Sequence, residues 1–262
     1  MYNFEMTRPS TIADAVKALK EEDAQALGGG QTLIPTLKQR LAMPSVLVSL
    51  TAIGEMQGVC MSDAGEVCVG GATTHATVAR EATAYPGLAA MAARIGDPAV
   101  RNRGTIGGSL ANNDPSACYP AAALASGASI ITNSREIAAD DYFQGMFTTA
   151  LEEGEVVTEV RFPVPEKSHY EKFVQPASRF ALVGVMVAKY ADGVRVAVTG
   201  ASESGVFRWT EAEAALSANS TADALGDLSL DGDGMIADLH GSGAYRAHLV
   251  KVMTGRALKA AI

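Results

Sequence analysis

The sequence is short of cysteine, of aromatics and of long apolar runs, and each shortage closes off a class of protein. Its three cysteines, Cys60, Cys68 and Cys118, are odd in number and include no C-x-x-C pair. That argues against a disulfide framework and against a zinc or iron–sulfur site built by this chain alone. No stretch approaches the ~20 apolar residues of a membrane span. Met1-Tyr2-Asn3-Phe4-Glu5 has neither the basic flank nor the apolar core of a signal peptide. Basic residues are outnumbered, 21 Lys plus Arg against 29 Asp plus Glu, and a net charge of −8 is a poor start for a nucleic-acid binder. The expectation is a soluble, cytoplasmic protein. What the chain does have is a globular composition, 48% apolar and 19% charged over 262 residues. That is enough for one large domain or two modest ones with a full core.

Helix and strand signals alternate from the N-terminus. Thr11 with Asp14 resembles a capping pair for a helix whose apolar Ile12, Ala15, Val16 and Leu19 share one face. Gln25-Ala26-Leu27 runs into three glycines, and Leu33, Ile34, Leu37 and Leu41 then suggest a short helix. Val46 to Leu50 and Val67 to Val69 read as strands. An Ala-rich helical pattern spans Thr77 to Ile95, with a second from about Tyr119 to Ser126 before the strand Ser129 to Thr132. This first stretch is mixed α/β.

The texture changes after Pro163 and Pro165. Val156, Thr158, Val160 and Phe162 alternate along one strand, and Tyr170–Val174, Ala181–Tyr190 and Val194–Thr199 look like three more. Helices over Glu211–Leu216 and Ala244–Leu258 close the chain. Strands followed by helices predict a small antiparallel sheet covered on one face, so the fold class is α+β. The boundary is placed at residue 163, giving domains 1–163 and 164–262. The alanines of the helical stretches, with Met91, are open to two readings, as packing of helix on sheet or as a partner surface.

Two glycine-bearing segments are the chemical candidates. Gly28-Gly29-Gly30-Gln31-Thr32 follows an apolar strand, and Thr105-Ile106-Gly107-Gly108-Ser109 precedes Asn112, Asn113, Asp114 and Ser116. Glycines let a backbone come close to a ligand, and consecutive N–H groups can converge on a phosphate. Neither segment is G-x-G-x-x-G or Walker A. Two such loops suit a diphosphate gripped from both sides, as in a dinucleotide, while each alone is compatible with an ordinary turn. Asp231-Gly232-Asp233-Gly234 lacks the later ligands of a calcium loop and reads as a solvated turn. No Ser–His–Asp or paired-carboxylate arrangement supports hydrolysis.

The segments Ala26-Leu27-Gly28-Gly29-Gly30-Gln31-Thr32-Leu33-Ile34-Pro35 and Ile95 to Asn112, the latter centred on Arg103-Gly104-Thr105-Ile106-Gly107-Gly108-Ser109, resemble a known pair. They look like the two FAD-binding segments of the medium subunit of molybdenum hydroxylases, the family of aerobic carbon monoxide dehydrogenases and xanthine dehydrogenases. The likeness continues through Phe162-Pro163 and Phe180 to Val185, covering nearly the whole chain. It implies the FAD-binding fold shared with p-cresol methylhydroxylase and vanillyl-alcohol oxidase (PCMH/VAO type), with two α/β subdomains before the C-terminal flavoprotein domain.

The resemblance implies that Leu27, Gly28, Gly29, Gly30, Gln31, Thr32 and Leu33, with Thr105, Gly107, Gly108 and Ser109, hold the FAD diphosphate. It places Asn112, Asp114 and Cys118 near the ribityl chain or ring, and Val157 against the flavin. At 118 this sequence departs from relatives that carry Asp, so a carboxylate contact is not expected there. Lys172 lies near the family's lysine, although Val174 is the other candidate for that position. Gln31 stands where a covalent tether would need His, which implies non-covalent FAD. His75 reads more readily as a structural loop residue than as a cofactor contact, and Trp209 as packing in the C-terminal layer.

The implied role is electron transfer within a complex, and no residue of this chain is assigned as catalytic. An iron–sulfur small subunit would carry [2Fe–2S] clusters and a large subunit the molybdopterin, in a dimer of heterotrimers without nucleic acid or membrane span. The alternatives are a stand-alone flavoprotein oxidase or reductase and a flavin-free interaction subunit.

Overall fold

The computed structural model describes residues 1–261. Three larger sheets succeed one another along the chain, and Phe143–Gly145 with Thr148–Thr149 forms a further two-stranded one. The first is a parallel sheet in which Val46–Ser49 lies between Glu5–Thr7 and Ala24–Leu27. Alternation along the central strand divides its side chains between two small cores. Val46 and Val48 pack with Ala15 of the helix Ile12–Ala18, and Leu47 packs with Leu37 of the helix Leu33–Lys38. Thr11 caps the first of these helices by accepting from the Asp14 N–H, as its sequence suggests.

The second sheet has five strands, all antiparallel, in the order Val59–Met61, Val67–Gly70, Val157–Phe162, Ser129–Thr132, Glu136–Ala138. The third is a four-stranded antiparallel sheet of Lys167–Val174, Ala181–Tyr190, Gly193–Ser202 and Gly205–Arg208. Mixed helix and sheet layers of this kind make the α+β class.

Between the second and third sheets lies the helix Cys118–Ser126, whose nine residues are all buried. Four of its positions, Ala121, Ala122, Ala123 and Ala125, are alanines that let both layers approach closely. Ala121 and Ala122 are therefore core residues and unavailable to a partner.

This placement corrects the expectation of a sheet covered on one face. Met186, Ala188 and Ala197 join the core around the buried helix, while Val183, Val185, Val187, Val194, Val196 and Val198 join another beneath Gly243–Ala261 and Thr210–Ala218. The continuous apolar run of Ala181–Tyr190 is the mark of a strand buried on both faces. Trp209 sits in the outer of these cores, 1% exposed.

A second correction concerns Thr77 to Ile95, which forms two helices, His75–Glu81 and Pro86–Ala93. Pro86 has no N–H to continue a helix and instead starts the next one. Asp231 accepts from the Asp233 N–H at 3.0 Å, closing the expected polar turn. His240 and His248 are exposed, whereas His169 is half-buried beside Glu171 at 3.3 Å.

Candidate functional site

A cleft of about 670 Å³ opens where the first sheet, the second sheet and the hairpin after Lys167–Val174 meet. All fifteen residues expected to contact a cofactor, from Leu27 through Val157, line it. The fold thus brings together two loops far apart in sequence.

The first loop leaves the strand Ala24–Leu27 and enters the helix Leu33–Lys38. The N–H groups of Gly28, Gly29, Gly30, Gln31 and Thr32 have no acceptor among the described residues. Gly30 takes φ +71°, a left-handed value that glycine adopts at little cost. The Gln31 side chain turns back to donate to the Gly29 carbonyl at 3.1 Å. The result is a run of five open donors along one wall.

The second loop is built differently. The Ile106 N–H donates to the Thr73 carbonyl at 3.1 Å and the Gly107 N–H to the Gly71 carbonyl at 2.9 Å. The Gly108 N–H donates to Thr105 Oγ1 at 3.2 Å, so Thr105 caps the helix Ile106–Asn112. These donors are committed within the fold.

The glycines explain themselves by packing. A Cβ on Gly29 would fall on the Arg103 carbonyl, and one on Gly28 would come within 2.8 Å of Thr105 Oγ1. A Cβ on Gly107 would meet the Gly71 carbonyl oxygen at 2.6 Å. A Cβ on Gly108 meets only Thr105 Oγ1, at 3.0 Å, and otherwise enters open space. Gly107 is buried and Gly108 exposed. The loops are laid one on the other, backbone to backbone, and Gly108 is the member that faces outward.

The polar residues after the second loop divide. Asp114 is half-buried, and burial pushes its carboxyl above the usual range although the Ser116 N–H, donating at 2.8 Å to Oδ1, opposes this. Asn112 makes no side-chain hydrogen bond among the described residues and lines the cleft. Asn113 turns away. With φ +42° it ends the helix, and its amide donates at 2.8 Å to both the Gly145 and Thr148 carbonyls. Cys118 and Val157 are both 4% exposed in the cleft lining, adding apolar surface.

His75 lies beneath Gly104, whose carbonyl accepts from the His75 N–H at 2.9 Å. Its ring is 5.3 Å from that of Tyr119, and Nδ1 has no hydrogen-bond partner among the described residues. Burial first, and the Arg101 charge second, hold its pKa down at about 4. A neutral imidazole under the second loop is the consequence.

Lys172 is the residue that sequence reasoning left undecided. It is 5% exposed, lines the cleft and donates from Nζ to the Arg94 carbonyl at 3.2 Å, whereas Val174 is exposed. Strand parity from buried Tyr170 puts Lys172 and Val174 alike on the inward side, and it is a register shift between Phe173 and Val174 that turns Val174 out. Ser178, Arg179 and Phe180 reach the cleft from the following turn. No periodicity in the sequence marks them.

The chain is similar in sequence and fold to known proteins. The family described as FAD binding domain in molybdopterin dehydrogenase matches residues 2–165. The carbon monoxide dehydrogenase medium chain of Afipia carboxidovorans is 38% identical over 73% of this chain and 70% of its own length. The nicotine 6-hydroxylase medium subunit of Paenarthrobacter nicotinovorans is 34% identical over 95% of this chain and 94% of its own. Among solved structures, the reconstituted CO dehydrogenase from Oligotropha carboxidovorans is similar with a TM-score of 0.89 at 31% identity, covering 99% of this chain and 98% of that one.

Proposed function

The chain belongs to the family of FAD-binding domains of molybdopterin dehydrogenases, and from that premise we propose that it passes electrons from a partner's [2Fe–2S] clusters to an external acceptor. It is an oxidoreductase subunit, and its cofactor is FAD. The observation that carries the site assignment is the run of open N–H groups from Gly28 to Thr32 along the cleft. Five neutral donors in sequence match the oxygens of a diphosphate, and a cleft of about 670 Å³ suits a ligand of dinucleotide size. The residues present fit the group.

In this reading Gly28, Gly29, Gly30, Gln31 and Thr32 hold the diphosphate, with Leu27 and Leu33 as apolar flanks. Thr105 and Gly107 hold the shape of the second loop, leaving Gly108 and Ser109 as the surface against which the diphosphate lies. Asp114 Oδ2 and the Asn112 amide accept from or donate to hydroxyls of the ligand. Val157 and Cys118 exclude water from the ring end, and Lys172 places a cation there. Bound in this cleft, FAD supplies exchange between two-electron and one-electron chemistry. No tether to the chain is proposed at Gln31, whose amide is folded back on Gly29.

We assign residues 1–163 to the FAD-binding domain and 164–262 to the C-terminal domain. Support comes from Val157–Phe162 completing the second sheet just before Lys167–Val174 opens the third. The proposed partners are an iron–sulfur small subunit and a molybdopterin large subunit, doubled by a twofold axis. The "medium chain" and "medium subunit" names of the relatives support this. No helix among the described residues is long and apolar enough to cross a membrane.

The test is gel filtration of the natively expressed protein, with subunits identified by mass and flavin released by acid. A complex of three kinds of subunit with yellow colour in the acid supernatant is expected. A lone monomer that turns over a substrate, or a folded chain that takes up no FAD, overturns the reading.

A further inference from the structure

We propose that Cys60 and Cys68 are a peroxide-oxidisable thiol pair that closes reversibly into a disulfide across the strands Val59–Met61 and Val67–Gly70. The inference is independent of the flavin reading. The two cysteines stand directly opposite each other in the antiparallel register. On either side, the Gly70 N–H donates to the Gly58 carbonyl at 3.1 Å and the Ser62 N–H to the Glu66 carbonyl at 2.9 Å. The alternation of the ladder then makes Cys60 and Cys68 a hydrogen-bonded pair, with Cα atoms about 5.5 Å apart. That separation lies at the mode for disulfides, about 5.5–6 Å. The side chains of a hydrogen-bonded pair stand farther apart than those of the alternate pair, so closure strains the bond and leaves it readily reduced. Both thiols are free, and the Cys68 Sγ lies 4.0 Å from the carbonyl oxygen of Glu66, the residue before its own strand.

Their exposure is divided in the way a reactive and a resolving thiol require. Cys60 is exposed, whereas Cys68 is 4% exposed. Burial first, then the Glu159 carboxylate, push the Cys68 thiol up to about 11. Oxidant therefore meets Cys60, the accessible member, and Cys68 remains a protonated thiol until a partner is made beside it. The Cys60 thiolate attacks one oxygen of hydrogen peroxide and breaks the O–O bond, leaving a sulfenic acid and a hydroxide that takes up the thiol proton as water. The Cys68 sulfur then displaces the sulfenic hydroxyl, forming the S–S bond and releasing a second water with its own proton. Two thiols lose two electrons in all, and one peroxide becomes two waters. A dithiol reductant reverses the exchange.

Cys118 provides an internal reference. It is as buried as Cys68 and has no facing cysteine, since the other two are paired with each other. The experiment treats the full chain with hydrogen peroxide, quenches with an alkylating reagent, and reads intact mass and a non-reducing peptide map. The expected result is loss of two hydrogens and a cross-link between the peptides of Cys60 and Cys68. Cys118 is expected to stay alkylatable, reacting at least about tenfold more slowly, and dithiothreitol is expected to restore both thiols.

Cys68→Ser should strand Cys60 as a sulfenic acid that dimedone traps, and Cys60→Ser should leave Cys68 reduced. Sulfenic or sulfinic acid accumulating on Cys60 of the unsubstituted protein while Cys68 stays alkylatable would overturn the proposal. So would disulfides between two copies of the chain as the main product, or oxidation of Cys118 as fast as Cys60.

Discussion

Gly28 to Thr32 and Thr105 to Ser109 have similar compositions and meet at one cleft, yet they use their backbones in opposite ways. The first leaves five N–H groups without an acceptor among the described residues. In the second, Ile106, Gly107 and Gly108 donate to Thr73, Gly71 and Thr105. In the proposed reading one loop receives the ligand and the other supports the first. Glycine is demanded in both, but for the first by φ at Gly30 and close approach at Gly29, and for the second mainly by contact with Gly71. A glycine-rich sequence therefore does not say whether its amides are free.

The strongest break in this contrast is Gly29→Val, whose side chain would fall on the Arg103 carbonyl and push the two loops apart. Overpacking of this kind costs about 3 kcal/mol or more where the neighbour is backbone. Calorimetry should show Tm lowered by about 6–12 °C, together with loss of bound flavin. An unchanged Tm with full flavin content would end the packing account.

Acid should act on the second loop through His75. Its folded pKa is about 4 against an ordinary 6.5. Above 6.5 the ring is neutral folded or unfolded, so stability does not change with pH on its account. As pH falls from 6.5 toward 4 the unfolded chain takes up the proton first, and about 3 kcal/mol of stability is lost across that window. Denaturant titrations between those limits should show a slope that is flattened in His75→Gln. A slope of the same size in the variant assigns the acid sensitivity elsewhere.

Gly107→Val and Gly108→Val separate the inner and outer members of the second loop. The first should cost about 2 kcal/mol in denaturant melts, because its Cβ meets the Gly71 carbonyl. The second should leave stability within about 0.5 kcal/mol while displacing flavin from the cleft. If both variants lose stability alike, or if Gly108→Val retains flavin normally, the outward placement of Gly108 is mistaken.

The smallest effect is expected from Thr105→Ala. Removing the cap frees the Gly108 N–H, at a cost of about 1 kcal/mol. Flavin affinity should fall only modestly, because the first loop's donors are untouched. A loss of flavin as large as that of Gly29→Val would mean that the second loop carries the ligand.

Much of the local structure was legible because it rests on near neighbours in the chain. The strands Ser129–Thr132 and Ala181–Tyr190 fall where their β-branched and apolar runs put them. The helix over Thr77 to Ile95 misled because an Ala-rich periodicity runs through Pro86, and the pattern registers faces while the missing N–H registers breaks. Asn113 reads as a partner of Asn112 and Asp114, but its left-handed backbone turns the side chain onto the turn at Gly145 and Thr148. Cys60 and Cys68 look unrelated until the strands between them are paired.

The sequence by itself determined the class of the fold, the family and the composition of both loops, because propensity, side-chain period and short motifs are properties of contiguous residues. Only the tertiary structure decided which N–H groups remain open, that the sheet Lys167–Val174 to Gly205–Arg208 is buried on both faces, and that Lys172 reaches the cleft. Each of these depends on an acceptor or a packing surface supplied from far along the chain. A hydrogen bond such as Gly107 to Gly71, or the alanine helix laid between two sheets, exists only after folding has joined segments that carry no local signal of each other.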